Sequence, residues 1–380
     1  MNAPKLRFKE FNNEWRCFSL EKLVSFSKGN LLSKADLDES GLYPCILYGQ
    51  LYTKYFEVIR NVYSKTNRND KNLIMSKCGD VLIPSSGETP LDISTASCIM
   101  LDNILLGGDI NILSPTNCEG RFLSYMINNN KRKEIAKVAQ GHSVVHLYND
   151  NLKKISINIP QLNEQTKIAD TLELLDKKIE LQSKKIEDLK LFKKGLILSL
   201  KKNSFDWHTV CIKDLFKITR GVVIPKNELS EFKNGEYKYP VYSSQTSNQG
   251  ILGYSDTFDF NGKYLTWTTD GANAGKVFYR NGKFRCTNVC GVLYEDNIRF
   301  TNELFAELLN YETPKHVSYV GNPKLMNNVM ADIKIKIPND DVQENISLII
   351  NTINNKVNLE KKKLLKFKEL KKGLMQSMFV

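Results

Sequence analysis

Two stretches of the 380-residue chain repeat each other at a constant offset of 178 residues. The sequence Ile-Ser-Ile-Asn-Ile-Pro at 155–160 recurs as Ile-Lys-Ile-Lys-Ile-Pro at 333–338, and Lys-Lys-Gly-Leu at 193–196 recurs at 371–374. No gap separates these matches. An internal repeat constrains the fold more than any other feature, because each copy is expected to form the same structural unit.

Each copy predicts a short strand followed by a long helix. Alternating isoleucines that end in a proline are typical of a strand, and apolar residues then recur at steps of four and three, the spacing of a coiled-coil seam. Gln182 and Glu360 occupy the same heptad position in the two copies and are expected to fix the register. The predicted seam residues are Ile168, Leu172, Leu175, Ile179, Ile186, Leu189 and Leu196 in the first copy, and Ile346, Ile350, Ile353, Val357, Leu364, Phe367 and Leu374 in the second.

The length of these helices favours pairing between them. A helix from Asn163 to Leu200 would be about 57 Å long at 1.5 Å per residue, which exceeds the diameter of a small domain. We therefore predict that the two helices run antiparallel and that the C-terminus returns to the N-terminus. The alternative is that each helix packs separately on its own domain.

The segments that precede the helices also echo one another, more loosely. A tryptophan, a Tyr-Pro pair and a Gly-x-x-Leu sequence follow in the same order, at Trp15, Tyr43 and Gly79 and again at Trp207, Tyr239 and Gly262. We predict an α/β (α+β) fold with two globular domains related by pseudo-twofold symmetry and separated by two long antiparallel helices. The domains are expected at 1–154 and 204–332, and the strand-plus-helix segments at 155–203 and 333–380.

Within the globular domains the pattern indicates many short strands and a few helices. Turns are predicted at Asn261-Gly262 and Asn281-Gly282, because Asn-Gly pairs favour tight turns. Helices are predicted near 121–140 and 302–310. The predicted strands are Val81–Pro84, Tyr264–Thr268, Lys276–Tyr279 and Gly291–Tyr294.

The balance of 54 Lys and Arg against 42 Asp and Glu gives a net charge of +12. Such an excess, spread along the chain, points first to nucleic acid and second to an anionic membrane surface; a merely basic protein is the alternative. No apolar run is long enough to span a membrane, and the N-terminus lacks a signal-peptide core. Eight cysteines without a dense framework predict a cytoplasmic location.

Signatures of catalysis and of metal or cofactor binding are weak. His142 and His146 stand four residues apart without further ligands, and Cys286 and Cys290 lack a second pair. The glycine-rich stretch at 271–276 imitates a phosphate loop but lacks its Ser or Thr, so a tight hairpin turn is predicted, near phosphate. We expect no catalytic residue, no metal and no cofactor bound by this chain.

Polar loops interleaved with aromatic residues are the candidate DNA contacts. Gln and Asn can pair with adenine edges, and Arg and Lys can hold phosphates. In the first domain the candidates are Tyr48, Gln50, Tyr52, Lys54, Arg60, Lys65, Arg68, Ser85, Ser86, Glu88 and Thr89. In the second they are Gln245, Thr246, Asn248, Thr269, Asp270, Asn273, Lys276 and Arg280.

The whole arrangement resembles the specificity subunits of bacterial type I restriction-modification systems. The Ile-x-Ile-x-Ile-Pro strand, Gln165 and Gln343 at the helix starts and the Lys-Lys-Gly-Leu sequences carry the resemblance, with the Tyr-Pro and Gly-Asp-Val-Leu segments of the domains. The resemblance implies two target-recognition domains, each reading one half of a bipartite, asymmetric site in double-stranded DNA. It also implies that the helices set the length of the unread spacer.

The same resemblance implies partners that perform the chemistry. Two DNA methyltransferase (modification) subunits would use S-adenosylmethionine to methylate adenine N6, and two restriction (motor-nuclease) subunits would use ATP and Mg²⁺. A stand-alone DNA modification enzyme and a coiled-coil scaffold without DNA function remain as alternatives. Methylation by the purified chain alone would favour the first, and absence of salt-sensitive DNA binding would favour the second.

Overall fold

The computed structural model describes residues 3–141, 144–202 and 207–380. The chain forms two compact units, which we call unit 1 (Met1–Ser183 with Lys363–Val380) and unit 2 (Lys184–Lys362). Both boundaries fall inside long helices. Among the described residues, no helix has the length and apolar character needed to cross a membrane.

Unit 1 is built from short strands, four short helices and parts of two long ones. Unit 1 also contains a π-helical turn, Ile127–Lys131. Its strands are β1 (Arg16–Ser19), β2 (Val24–Lys28), β3 (Tyr43–Ile46), β4 (Val58–Ile59), β5 (Ser64–Thr66), β6 (Ile74–Met75), β7 (Val81–Pro84), β8 (Ser86–Gly87), β9 (Ser97–Ile99), β10 (Leu105–Leu106), β11 (Ile110–Pro115), β12 (Val145–His146) and β13 (Ser156–Ile159). Its helices are α1 (Tyr48–Thr53), α2 (Gly120–Met126), α3 (Arg132–Val138), α4 (Asn149–Lys153) and the start of α5 (Leu162–Lys202).

Unit 2 has fewer and longer strands. They are β14 (His208–Cys211), β15 (Lys217–Arg220), β16 (Tyr239–Tyr242), β17 (Ile251–Ser255), β18 (Phe260–Thr268), β19 (Val277–Cys286), β20 (Cys290–Tyr294) and β21 (Lys334–Ile337). The helices are α6 (Ile212–Leu215), α7 (Glu303–Glu312), α8 (Asn327–Asp332) and α9 (Asp340–Met378), whose end belongs to unit 1. The strands and helices predicted from the sequence are confirmed at these positions.

The strand orders of the two units correspond, although unit 1 divides its strands between two sheets and unit 2 has one. In unit 1 the order is β2-β11-β7-β9-β4, with a second sheet β5-β3-β10-β6. In unit 2 a single sheet has the order β15-β20-β18-β19-β16-β17. Strand β19 pairs antiparallel with β18 and, at its end, parallel with β16. In unit 1 these pairings are divided between β9 and β10, which pair with β7 and β3.

The duplication is visible in the way each unit closes around a glycine. Gly29 follows β2 and Gly221 follows β15, and both N–H groups donate to the first residues of the next strand in the sheet, Ile110 and Cys290. A Cβ at Gly29 would lie 2.2 Å from the carbonyl oxygen of Gly107, and one at Gly221 would lie 2.0 Å from that of Cys286. Only glycine permits this close approach. Because both units use a glycine at the same place, the segments that precede the two long helices are structural counterparts.

The predicted Asn-Gly turns at 261–262 and 281–282 are wrong. Both pairs lie inside the β18–β19 ladder, where Gly262 pairs with Gly282. Their φ angles of 128° and 106° belong to the range that favours glycine, so the ladder continues through a local distortion. The chain turns instead at 269–276, the glycine-rich stretch, as predicted.

In unit 1 the two long helices run antiparallel. Asp176 of α5 pairs with Lys371 of α9, while Ile168 and Leu172 share a core with the later α9 residues Met378 and Phe379. Residues later in α5 therefore contact residues earlier in α9, which is the order of an antiparallel pair. The backbone N–H of Leu6 donates to the carbonyl oxygen of Ser377 at 2.9 Å, which confirms that the C-terminus returns to the N-terminal segment.

Unit 2 shows the same antiparallel order. Lys185 pairs with Glu360 at 2.8 Å, and Lys193 donates to Asn354 at 2.9 Å. Glu360 is 3% exposed, as expected for a polar residue in a seam. Ile197 then joins a buried cluster with Ile346 and Ile350.

The seam predicted from the sequence is correct in outline. Near the globular body the seam residues pack on that body as well as on a helix: Ile168 and Leu172 lie in the core around Trp15 and Phe122. At the end of α5 the predicted seam residue Leu196 is half-buried. Ile197 is the buried residue there, because it packs on Leu304 and Leu308 of α7, while its neighbours are partly exposed. The remaining half-buried seam residues are Ile179, Leu189, Leu364, Phe367 and Leu374, and the buried ones are Leu175, Ile186, Ile353 and Val357.

Candidate nucleic-acid interface

The first candidate residues lie on α1 of unit 1. Tyr48 and Tyr52 are partly exposed, whereas Gln50 is 7% exposed. The Gln50 amide nitrogen donates to the Ser64 hydroxyl at 2.5 Å, and its amide oxygen accepts from the Leu47 backbone N–H at 3.0 Å. This side chain fixes the start of α1 and offers no free edge to a base, contrary to the role predicted for it.

Two arginines predicted to hold phosphates have carboxylate partners in unit 1. Arg60 forms an ion pair with Glu173 of α5. Arg68 donates to Asp70 at 2.6 Å, so a phosphate would have to displace that carboxylate. Both arginines keep some exposure, and the exposed lysines of this group are Lys54 and Lys65.

The serines after β7 are structural in this conformation. Ser85 and Ser86 are buried. The Ser86 hydroxyl is 3.0 Å from His146 Nδ1, and the Ser85 hydroxyl is 3.4 Å from Asp109. Their hydroxyls therefore hold the neighbouring loops together, and the exposed candidates of this loop are Glu88 and Thr89.

Arg280 of unit 2 is an internal support and not a surface cation. It is 6% exposed, and its guanidinium lies over the Tyr242 ring at 3.5 Å. It donates to the Thr266 hydroxyl at 3.0 Å and to the Gln249 carbonyl at 2.8 Å. Burial lowers the pKa of Arg280. The predicted phosphate contact is therefore unsupported, and the residue holds the loop of Ser247–Gly250 in place.

That loop presents few of the candidates to solvent. Gln245 donates from its amide to the Ile251 carbonyl, and Thr246 is partly buried. Asn248 is exposed, with a φ of 47°, and Gln249 follows with a φ of 56°. These two successive residues in the left-handed region form a tight turn, and Asn248 lies on its surface.

The hairpin turn between β18 and β19 carries the last candidates. The Thr268 N–H donates to Lys276 at 3.0 Å, and the Gly275 N–H donates to Thr268 at 2.8 Å. Thr269 is 1% exposed, and Asp270 lies 3.9 Å from the Lys324 ammonium. The exposed candidates of this turn are Asn273 and Lys276.

The next candidates are the histidine and cysteine pairs that were considered as metal ligands. Cys286 ends β19 and Cys290 begins β20, so they flank a turn and do not share one strand; their sulfurs are 3.5 Å apart. His142 lies outside the described residues. Within the described ranges no group of three or more His, Cys, Asp or Glu could hold a metal ion.

The glutamine at each helix start ties the helix to its own globular body. Gln165 accepts from the Glu119 N–H at 2.9 Å and donates to the Pro160 carbonyl at 2.8 Å. Gln343 donates to the Arg299 carbonyl at 2.9 Å. Both contacts secure the loop in front of α2 or α7. Repetition of a buried polar residue at a helix start was the sequence signal for this role.

The first lysine of each Lys-Lys-Gly-Leu sequence anchors the far end of its helix. Lys371 lies 2.7 Å from Asp176 and 2.9 Å from Glu57 in unit 1. Burial alone would lower the pKa of Lys371, but the two carboxylates outweigh it and the pKa is raised. In unit 2, Lys193 lies 2.5 Å from Glu307.

The amide partner of Lys193 completes the parallel. Lys193 donates to Asn354 at 2.9 Å, and Asn354 stands 178 residues after Asp176, as Lys371 stands 178 residues after Lys193. Sequence reasoning aligned these lysines but did not find their role, because their partners outside the two long helices, Glu57 and Glu307, lie at different distances along the chain.

Comparisons with known proteins agree with this arrangement. A protein of Mycoplasma pneumoniae, S.MpnORF615P, inferred to be a type I specificity subunit, is 36% identical over 205 residues, covering 52% of this chain and 81% of its own. Another from that organism, S.MpnORF289P N-terminus, is 44% identical over 145 residues, covering 38% of this chain and 76% of its own.

A solved structure shows the same fold at low sequence identity. The crystal structure of a type I restriction-modification S subunit from M. genitalium superposes with a TM-score of 0.73 at 16% identity, covering 100% of this chain and 99% of that one. The family model described as type I restriction modification DNA specificity domain matches twice, at residues 12–191 and 205–369. The chain belongs to this family and is a DNA sequence-specificity subunit of a type I restriction-modification system.

Proposed function

We propose that units 1 and 2 each read one half of a bipartite, asymmetric DNA site. The observation that carries this proposal is a repeated frame with unlike loops: Gly29 and Gly221 close the two sheets in the same way, while the polar loops differ. Unlike reading heads suit an asymmetric site, whereas identical heads would suit a palindrome. The target-recognition domains correspond to 1–154 and 204–332.

The helices of 155–203 and 333–380 set the spacing between the half-sites and dock the methyltransferase subunits. A stiff helix pair converts the separation of two reading heads into a fixed number of base pairs. Linking the heads also raises the effective concentration of the second head once the first has bound. The antiparallel order within each unit supports this role.

The chemistry belongs to partner subunits in this proposal. Two methyltransferase subunits with S-adenosylmethionine would methylate adenine N6, and two motor-nuclease subunits with ATP and Mg²⁺ would cut unmethylated DNA. This chain would bind no cofactor and catalyse no step. Its own part is to bind double-stranded DNA and to place the partners on it.

The direct test is co-expression of the chain with its cognate methyltransferase subunit, followed by genome-wide mapping of N6-methyladenine. We expect one bipartite motif with a fixed gap, absent when the chain is omitted. Methylation that is independent of the chain would overturn the proposal, as would methylation by the purified chain without partners. Binding to a DNA fragment that carries the motif should weaken steeply with salt.

The spacing role has its own test. Inserting one heptad after Ser183 in α5 and another after Lys362 in α9 adds two helical turns at the unit boundaries. The contacts inside each unit are left intact. We expect a longer gap in the motif or loss of methylation. A heptad inserted in the exposed stretch at 233–236 is the control, and an unchanged gap in the helix variant would exclude the spacing role.

A further inference from the structure

A small hairpin recurs in both units at the 178-residue offset although its sequence does not. In unit 2, Ser318 and Lys324 exchange backbone hydrogen bonds of 2.9 Å each. In unit 1, Gln140 and His146 exchange bonds of 2.9 and 2.7 Å. The offset that relates the strands and helices therefore extends into these loops, where no residue identity indicated it.

Each hairpin is fastened to the loop that follows the third strand of its sheet. In unit 1 the Leu147 N–H donates to the Ser85 carbonyl at 2.9 Å, and β12 pairs with β8. In unit 2 the Leu325 N–H donates to the Thr269 carbonyl at 2.9 Å, and Asp270 forms a bridge with Lys324. Both attachment points lie in loops already considered as DNA contacts. The backbone bonds at the base of the hairpin and its attachment to the neighbouring loop are thus the same in both units.

The tip of the unit 2 hairpin is unusually apolar for a solvent-facing loop. Tyr319 is 69% exposed and Val320 is 92% exposed. Val320 has the highest exposure of any large apolar side chain in the described part of the chain. The neighbouring Asn322 is exposed, and the Gly271 N–H donates to the Pro323 carbonyl at 3.0 Å, which holds the tip against the β18–β19 turn.

The residue types of the two hairpins differ although the backbone bonds at their bases are alike. The position equivalent to Tyr319 in unit 1 is Gly141, and the position equivalent to Lys324 is His146. Tyr319 and Lys324 are exposed, whereas His146 is partly buried and lies 3.0 Å from the Ser86 hydroxyl. A fixed backbone with exchangeable exposed side chains is what two heads with different sequence preferences require.

We propose that residues 319–322, at the tip of this hairpin, contact base pairs in the half-site that unit 2 reads. The inference rests on the function proposed above and assigns the contact to a specific loop. An exposed valine can pack on a thymine methyl group, and an exposed asparagine amide can pair with an adenine edge. Lys324, with its side chain 53% exposed, stands at the base of the tip, where it can approach a phosphate.

The test uses the co-expressed chain and methyltransferase with single substitutions at the tip. Val320→Ser and Tyr319→Ala should each reduce methylation of the wild-type motif by about tenfold, the effect expected when one base contact is lost. We expect relaxed preference at one position of the half-site read by unit 2 and no change in the other half. Val223→Ser is the matched control, because Val223 is 74% exposed elsewhere in unit 2, and it should change neither motif nor rate.

The outcomes separate this inference from the proposed function. If the wild-type chain directs no bipartite motif, the proposed function fails. If it directs one and the tip variants keep the same motif and rate, only the assignment of the tip fails. Loss of methyltransferase co-purification by Val320→Ser would instead identify the tip as a protein-docking surface and would overturn the inference. An unchanged melting temperature of both variants is expected, because neither side chain is buried.

Discussion

The two helix anchors place a lysine at equivalent helix positions but give it different partners. Lys371 of unit 1 lies between two carboxylates, Asp176 and Glu57, whereas Lys193 of unit 2 lies between the carboxylate of Glu307 and the amide of Asn354. The position of the lysine is preserved while the charge of its partner is not. The position of the lysine along the helix therefore fixes the register of the helix pair. The charge of its partner on the other helix determines how much the contact stabilises each unit.

Removing the cation should affect unit 1 more than unit 2. Lys371→Met leaves Asp176 and Glu57 close together and mostly buried, and we expect a loss of about 3 kcal/mol in the free energy of unfolding. Lys193→Met removes one ion pair, with Glu307, while the Glu303 carboxylate keeps its hydrogen bond from the Asn354 amide, and we expect a loss of about 1 kcal/mol. Urea denaturation of the full chain, followed by tryptophan fluorescence, measures both.

A double variant sharpens this comparison. Asp176→Asn converts the unit 1 anchor into the unit 2 type, so Lys371→Met in that background should cost less than in the wild type. Equal losses in both backgrounds would show that Asp176 does not interact with Lys371 energetically.

The glycines that close the two sheets should behave alike. Gly29→Ala and Gly221→Ala place a Cβ about 2 Å from a backbone carbonyl oxygen in each unit, and we expect a loss of about 2 kcal/mol for each. Thermal denaturation is the measurement. Gly235→Ala is the control, because its Cβ would meet nothing within 4 Å. A large loss at only one of the two sites would show that the units are not closed in equivalent ways.

Acid should weaken unit 1 through a contact that unit 2 lacks. Burial alone would raise the pKa of the Glu173 carboxyl, but hydrogen bonds from Arg60 and Arg121 outweigh it and the pKa lies below its ordinary value. A carboxyl of lowered pKa contributes stability above its unfolded pKa, and that stability is lost as the pH falls through the folded pKa. Because solvent screens the pair, we expect a contribution of about 1 kcal/mol.

The measurement is the unfolding midpoint between neutral and acid pH in wild type and Glu173→Gln. The variant should lose stability at neutral pH and lose less on acidification than the wild type does. Asn351→Ala, at the equivalent position of unit 2, should leave the pH dependence unchanged. A Glu173→Gln profile parallel to that of the wild type would contradict the assignment.

The smallest effect is expected at the two helix glycines. A Cβ at Gly195 or Gly373 would meet nothing within 4 Å, and alanine is favoured over glycine in a helix by about 0.8–1 kcal/mol. Gly195→Ala and Gly373→Ala should therefore each raise the melting temperature slightly and by similar amounts. Destabilisation at either site would indicate a contact that the isolated chain does not show.

The long helices could be predicted because their signal is local and repeated. Steps of four and three over several heptads place Ile346, Ile350 and Ile353 on one face whatever surrounds them. The pattern did not indicate which residue is fully buried where a third element packs: Ile197 is buried and Leu196 half-buried, because α7 supplies Leu304 and Leu308. Periodicity alone contains no information about that element.

Individual loop roles were harder to predict for a related reason. Gln50 and Arg280 have the residue types of base and phosphate contacts, but both are buried and hydrogen-bonded to partners distant in sequence, Ser64 and Thr266. The Asn-Gly pairs failed because two glycines opposite each other let a ladder continue through positive φ. The recurring hairpin had no identical residues to reveal it.

The burial of Met378 and Phe379 in the core of unit 1 has a consequence for synthesis. Phe379 contacts Phe122 with ring centroids 5.4 Å apart, so a side chain made early on the ribosome waits for one made about 250 residues later. Domains generally fold in order as they emerge. Unit 2 can therefore complete its own core while the unit 1 core still lacks Met378 and Phe379. A tag fused after Val380 would lie beside this core, against which Val380 packs, whereas one placed in the 233–236 stretch would not.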